Sequence, residues 1–325
     1  MLLIRSTATL FVICLCVAPA FTQQDDCRQR VIPASIGATD GAPVPVLDSS
    51  NFEGTFRKKP IRVLSAAMNH EPPRVVLLLD ISGSMFSRAS DFSINFSIGL
   101  AEDLASTMPP DAEIGLAFFN SVLVPVLAPT KDRQGLKYEL EGLRAHSNSF
   151  KGNTALWDAV LGSAKMFDHP RVGDTIYVIT DGGENASTAK KNRVAQTLAE
   201  AGVRLFSFIV ANEGETAEDA MRNWGVSQSL VNKTGGTSAH QWGIFPIKFP
   251  EDYHAALFDR SGKPTVLGSS LATQFHQIFS FYRVTIEFPE PVNKPQDWNL
   301  ELAGFSKSQR NKLVLTYPKM LVPCH

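Results

Sequence analysis

The run Val75-Val76-Leu77-Leu78-Leu79-Asp80-Ile81-Ser82-Gly83-Ser84-Met85 constrains this 325-residue chain more than any other stretch. Five consecutive apolar residues read as a strand buried on both faces, which needs covering layers above and below it. The strand then ends in Asp-x-Ser-x-Ser, so three oxygen-bearing side chains fall at alternate positions just beyond a sheet edge. Asp80 brings a carboxylate, Ser82 and Ser84 bring neutral hydroxyls, and Gly83 lets the backbone turn tightly. Hard divalent cations take oxygen ligands, Mg²⁺ at about 2.0–2.1 Å with several waters retained. The turn reads as half of such a site. The same residues also read as a strand followed by a Ser/Gly loop whose Asp caps a helix.

Two distant segments continue the pattern. Gly152-Asn153-Thr154-Ala155-Leu156-Trp157-Asp158-Ala159 places Thr154 at the start of a helix, and Asp174-Thr175-Ile176-Tyr177-Val178-Ile179-Thr180-Asp181-Gly182-Gly183-Glu184 is a second apolar strand ending in Asp-Gly. Together the three segments resemble the von Willebrand factor type A domain with its metal-ion-dependent adhesion site, over roughly residues 73 to 285. The family's Asp-x-Ser-x-Ser matches Asp80, Ser82 and Ser84, its lone Thr matches Thr154, and its Asp-Gly turn matches Asp181. The resemblance implies an α/β fold with a doubly wound, mostly parallel sheet flanked by helices. It implies Mg²⁺ or Mn²⁺ held directly by Ser82 and Ser84, and directly or through water by Thr154, Asp80 and Asp181. It also implies that a protein or other extracellular partner completes the octahedron with a carboxylate.

The ends of the chain suggest export. Arg5 precedes the apolar core Leu10–Val17, and Ala18-Pro19-Ala20 offers small residues for cleavage, so residues 1–20 read as a signal peptide. That apolar run is short for a membrane span, which needs about 20 residues. Cleavage would leave Cys27 and Cys324, one near each end, and an even count in an exported chain predicts that they pair. No Cys/His spacing suggests zinc. Apolar residues make up 44% and charged residues 19%, a composition that supports a sizeable core and argues against disorder. A net charge of −1 gives no general attraction to nucleic acid or to an anionic membrane.

Between the ends, strands alternate with helices. Strands are predicted at 75–79, 113–120, 175–180 and 203–210, with 122–127 as an edge strand because it carries Pro125. Helices are predicted at 90–108, 136–143, 154–167 and 188–201, the last ended by Gly202. Thr234-Gly235-Gly236 precedes a last strand, and 269–281 forms a closing helix. Residues 241–267 find no place in this scheme. Short β-like runs at 62–64, 283–288 and 312–317 predict a small β-module built from both flanks, giving residues 21–72 and 286–325 as β-rich segments around a central unit at 73–285.

Asp158 reads as a supporting residue inside the helix after Thr154, Glu184 as a solvated loop residue, and Ser87 and Asp91 as helix-start residues. The seven His residues form no ligand-spaced pair. Three functions remain open: a metal-dependent binding module, a metal-dependent hydrolase, and a structural domain with a stabilising metal. Against the hydrolase, the sequence holds no Gly-x-Ser-x-Gly, no phosphate-cradling Gly-x-x-x-x-Gly-Lys and no Gly-x-Gly-x-x-Gly.

Overall fold

The computed structural model describes residues 27–38, 44–85, 92–146, 151–210, 217–240, 253 and 256–324. The signal segment, Ser87, Asp91 and most of 241–255 lie outside the described residues.

The central layer is a six-stranded sheet. β1 (Gln29–Ala38), β2 (Phe52–Phe56), β3 (Lys59–Pro60) and β4 (Arg62–Met68) precede it, and its own strands begin with β5 (Arg74–Asp80). β6 (Glu113–Phe119), β7 (Leu123–Thr130), β8 (Thr175–Thr180), β9 (Arg204–Ile209) and β10 (Ser238–His240) follow, in the spatial order β10-β9-β8-β5-β6-β7. All neighbours are parallel except β7, which runs antiparallel to β6 at the edge. Pro125 and Pro129 sit there, on a strand that has no further ladder to complete.

Alternation along β5 explains the layering. Val75, Leu77 and Leu79 point into one core, and Val76 and Leu78 into the other. The first core is closed by α1 (Phe92–Thr107), by α2 (Arg133–Ala145) through Leu136, Leu140 and Leu143, and later by the closing helix. The second is closed by α3 (Leu156–Ala164), α4 (Lys191–Ala201) and α5 (Ala217–Thr234). Each fully buried Leu or Val contributes about 1.5–3 kcal/mol. Asp132 caps α2 by accepting from Gly135 N–H at 2.9 Å, and Gly202 ends α4 in the left-handed conformation at φ +68°.

Three helical expectations need correction. α3 begins at Leu156 and stops at Ala164, so Thr154 precedes the helix rather than opening it. α4 begins at Lys191 because residues 184–190 are engaged in loop hydrogen bonds. Helix α5 has no counterpart among the predicted helices; of its described side chains, Leu230 and Val231 lie in the second core, and the polar Ser227 and Thr234 are buried as well.

The closing helix α6 (Val266–Phe279) starts at the cap Thr265, which accepts from Gly268 N–H at 3.1 Å, and runs directly into β11 (Tyr282–Glu287). β12 (Gln296–Asp297), β13 (Asn299–Leu302), β14 (Leu313–Thr316) and β15 (Met320–Leu321) complete the chain. Both flanks now meet: an antiparallel sheet in the order β14-β1-β11-β4 is joined by the smaller sheets β13-β2-β3 and β12-β15. They share a separate core that includes Phe56, Phe288, Trp298 and Tyr317. The C-terminal segment laces this core to the central layer. Leu321 lies in the flank core, while Met320 and Val322 lie in the core beside α4. Cys27 and Cys324 are joined by a disulfide, with their Cα atoms 5.8 Å apart. No described helix is long and apolar enough to cross a membrane.

At the end of the sheet where its strands begin, Arg204 is only 1% exposed. Its guanidinium donates to Gly173 O, Thr175 Oγ1, Ser35 Oγ and the last-turn carbonyls Gln277 O and Ile278 O, all within 3.2 Å. The Phe281 ring lies 4.3 Å from it. Burial lowers its pKa to about 9, partly opposed by Asp174, which leaves it charged at neutral pH. Gly173, at φ +101°, leaves room for that ring, since a Cβ there would lie 2.1 Å from Phe281.

Candidate functional site

The opposite end of the sheet is built differently. β5 and β8 are adjacent and parallel, so Asp80 at the end of one and Asp181 just past the other emerge at the same edge. The chain moves from β5 to β6 on one side, then returns to place β8 on the other. The crevice between β5 and β8 is therefore the point where the strand order reverses, the usual place for a ligand in an open α/β sheet.

Asp80 is fully buried. Its carboxylate accepts from Ser82 N–H at 2.8 Å and from the Thr180 hydroxyl at 2.6 Å. Thr180 in turn accepts from Gly182 N–H at 3.0 Å, which ties the Asp80 turn to the Asp181 turn. The Ser82 and Ser84 hydroxyls are 3.1 Å apart; Ser82 is buried and Ser84 is exposed. Gly83 N–H donates to Gly152 O at 3.1 Å and brings up the loop that carries Thr154. Thr154 is 2% exposed and Asp181 3%. A Cβ built on Gly183 would lie 3.0 Å from Asp181 Oδ1 and 3.7 Å from Thr154 Oγ1, so these two oxygens border one spot. All five oxygen-bearing residues singled out in the sequence thus gather at one edge.

Electrostatics set this edge apart. Burial, and secondarily the neighbouring Asp181 carboxylate, push the Asp80 pKa from 3.8 up to about 7, against the downward pull of the Thr180 and Ser82 hydrogen bonds. Among the described residues no three His, Cys, Asp or Glu side chains gather as a metal cage. The donor set is two carboxylates and three hydroxyls, which suits a hard divalent cation: the acids cancel its charge and the hydroxyls add coordination.

Several supporting residues carried little signal in the sequence. Thr180 bridges the two acidic turns, and its place just before Asp-Gly was the one available hint. Asn120 holds the Thr154 loop, its side-chain amide donating to Lys151 O at 2.9 Å and its backbone carbonyl accepting from Ala155 N–H at 2.8 Å. Asp158 anchors the segment before α4, accepting from Thr188 N–H at 2.8 Å and Ala189 N–H at 2.9 Å. Glu184 is corrected from a solvated loop residue to an engaged one: its carboxylate accepts from Trp157, Ala186 and Ser187 N–H and from the Ser187 hydroxyl. Gly182, at φ +81°, packs under α5, where a Cβ would lie 2.9 Å from Asn223 Cβ.

The sequence profile of the von Willebrand factor type A domain family matches residues 75–184, which span β5, the Thr154 loop and the Asp181 turn. No curated protein matches the chain significantly. Similar solved structures include BatB from Bacteroides thetaiotaomicron, at 19% identity and a TM-score of 0.45, covering 63% of this chain and 99% of that one. An aerotolerance-related membrane protein from Bacteroides fragilis has 20% identity and a TM-score of 0.43, covering 53% of this chain and 92% of that one. A von Willebrand factor type A protein from Catenulispora acidiphila has 10% identity and a TM-score of 0.45, covering 93% of this chain and 74% of that one.

Proposed function

We propose, from the premise that this chain carries a von Willebrand factor type A domain, that it is an exported binding module in which a divalent cation links it to a partner. The observation that carries this reading is the pair of buried acids, Asp80 and Asp181, gathered with three hydroxyls at the reversal point of the sheet. Asp80, Ser82, Ser84, Thr154 and Asp181 would hold Mg²⁺ or Mn²⁺. The cation, when bound, supplies an electrophilic point with positions left for water or an outside oxygen. Two acids neutralise it, so a carboxylate from an extracellular protein or other ligand is the natural further donor.

The residues around it do the remaining work. Burial of Asp80 and Asp181 keeps bulk water from screening their charges. Ser84 is exposed, so its hydroxyl would be within reach of a partner from solvent. Residues 1–20 supply the export signal by their sequence.

Isothermal titration tests the reading. The wild-type chain should bind one Mg²⁺ or Mn²⁺, and Asp80→Ala and Asp181→Ala should each abolish the heat. Unchanged binding in both variants would refute it. An EDTA-reversible pull-down from an extracellular or envelope fraction, with Asp80→Ala as control, then tests the partner.

A further inference from the structure

The oxygen edge falls into two parts by the way its loops are tied. The Asp80 turn meets the Thr154 loop through Gly83 N–H and Gly152 O. The Thr154 and Asp181 loops are joined far more closely. Asn185 N–H and Ala186 N–H both donate to Thr154 O, at 3.0 and 3.1 Å. Thr154 N–H returns a bond to Asn185 Oδ1 at 2.9 Å. Two residues into α3, Trp157 N–H donates to Glu184 Oε2 at 3.1 Å and to Ser187 Oγ at 2.9 Å.

Glu184 is the centre of this seam. Oε1 accepts from Ala186 and Ser187 N–H at 3.2 and 2.9 Å, while Oε2 takes Trp157 N–H and the Ser187 hydroxyl at 2.7 Å. With both oxygens engaged, the carboxylate is committed to the loop and to the first turn of α3, where negative charge is favoured. Asn185 supplies the matching clamp on the other side of Thr154, using its side-chain carbonyl and its own N–H.

We propose that Glu184 and Asn185 are positioning residues that fix Thr154 relative to Asp181, so that these two oxygen donors meet a cation as one preformed unit. The inference rests on the cation reading of the five-residue set. Groups that orient ligands without touching the metal typically change affinity by about 10–100-fold when removed. Their contribution here is preorganisation: the loops need not be ordered again when the cation arrives.

The test is Mn²⁺ titration of the full chain, measured calorimetrically well below the Tm of each variant, together with amide hydrogen exchange of the metal-free protein. Glu184→Ala and Asn185→Ala should each weaken Mn²⁺ by about 10-fold or more and should speed exchange at Thr154 and Trp157. Glu184→Gln, which keeps one acceptor oxygen, should fall between wild type and Glu184→Ala. If Glu184→Ala does not fold, Glu184→Gln and Asn185→Ala carry the test. Variants that lose Tm but bind Mn²⁺ as tightly as wild type would overturn the inference, because their residues would then be structural only. A wild-type chain that binds no Mn²⁺ would overturn the cation reading, and this inference with it. Binding by wild type and loss in Asp80→Ala, with Glu184 and Asn185 variants unaffected, would overturn this inference alone.

Discussion

The two ends of the central sheet bury polar groups in opposite ways. Where the strands begin, the buried cation Arg204 is surrounded by carbonyls and hydroxyls from β1, the segment before β8, β8 itself and α6, is covered by the Phe281 ring, and lies near Asp174, which also pairs with Arg74. Where β5 and β8 end, two carboxylates are buried, and burial, with the Asp181 charge second, raises the Asp80 pKa to about 7. The first arrangement satisfies its charge internally with hydrogen bonds. The second buries a carboxylate, Asp80, with hydrogen bonds from Ser82 and Thr180 but with another carboxylate, Asp181, as its charged neighbour. Polar burial therefore holds the fold together at one end and, at the other, concentrates negative charge where the proposed cation would bind.

Removing Arg204 should have the largest effect. Arg204→Ala removes the donors to Ser35 Oγ, Thr175 Oγ1 and Ile278 O, while Gly173 O and Gln277 O keep those of Thr175 and Ser35, and should cost about 3–5 kcal/mol in urea unfolding. A cost below about 1 kcal/mol would show that the cluster is incidental. Next comes the disulfide. Replacing Cys27 and Cys324 together by Ser should cost about 2–4 kcal/mol and expose the C-terminal segment to proteolysis, since Met320 and Val322 would lose the restraint that keeps them beside α4. Equal protease resistance in the two proteins would argue that packing alone holds the segment.

At the acidic end the sign reverses. Asp80→Asn removes one of the two buried charges and should stabilise the metal-free protein at pH 8 by about 1–2 kcal/mol, measured by urea unfolding. Destabilisation would mean that the hydrogen bonds from Ser82 and Thr180 outweigh the repulsion.

The same carboxyl gives the wild type a pH dependence. Below pH 3.8 Asp80 is protonated in folded and unfolded chains alike. Between 3.8 and about 7 the folded state keeps a proton that the unfolded chain releases, so this group's contribution to stability falls as pH rises across that window and is level above it. Protons and cation compete for the same carboxylate, so Mg²⁺ affinity should rise from pH 5.5 towards about 7.5. A flat affinity profile would remove Asp80 from the binding event.

The contrast between the two ends also explains what could be read from the sequence. Half of the oxygen edge was legible because its chemistry is local: Asp80, Ser82 and Ser84 lie in one turn; Thr154 and Asp181, distant in sequence, were joined to it only through the family resemblance. Strands β5 and β8 were legible for the same reason, since both faces of each are buried and the apolar run ends where the acid begins. β7 was recognised as an edge because Pro125 cannot donate to a ladder. The Arg204 cluster was invisible, because its partners come from residues 35, 173, 175, 277 and 278 and no short segment carries them. Helix α5 escaped because its buried face includes Ser227 and Thr234, polar residues that periodicity discounts. Glu184 looked solvent-facing because its four donors belong to α3 and to its own loop, an arrangement that exists only once the two are folded together.

The most direct test of the account is thermal unfolding at pH 8 with and without Mg²⁺ for wild type and Asp80→Asn side by side. The wild type should be the less stable of the two without Mg²⁺ and should gain Tm with rising Mg²⁺ concentration, while Asp80→Asn starts higher and gains nothing. Equal Tm values without Mg²⁺ and the same gain in both proteins would contradict the claim that this edge is an electrostatic deficit completed by a cation.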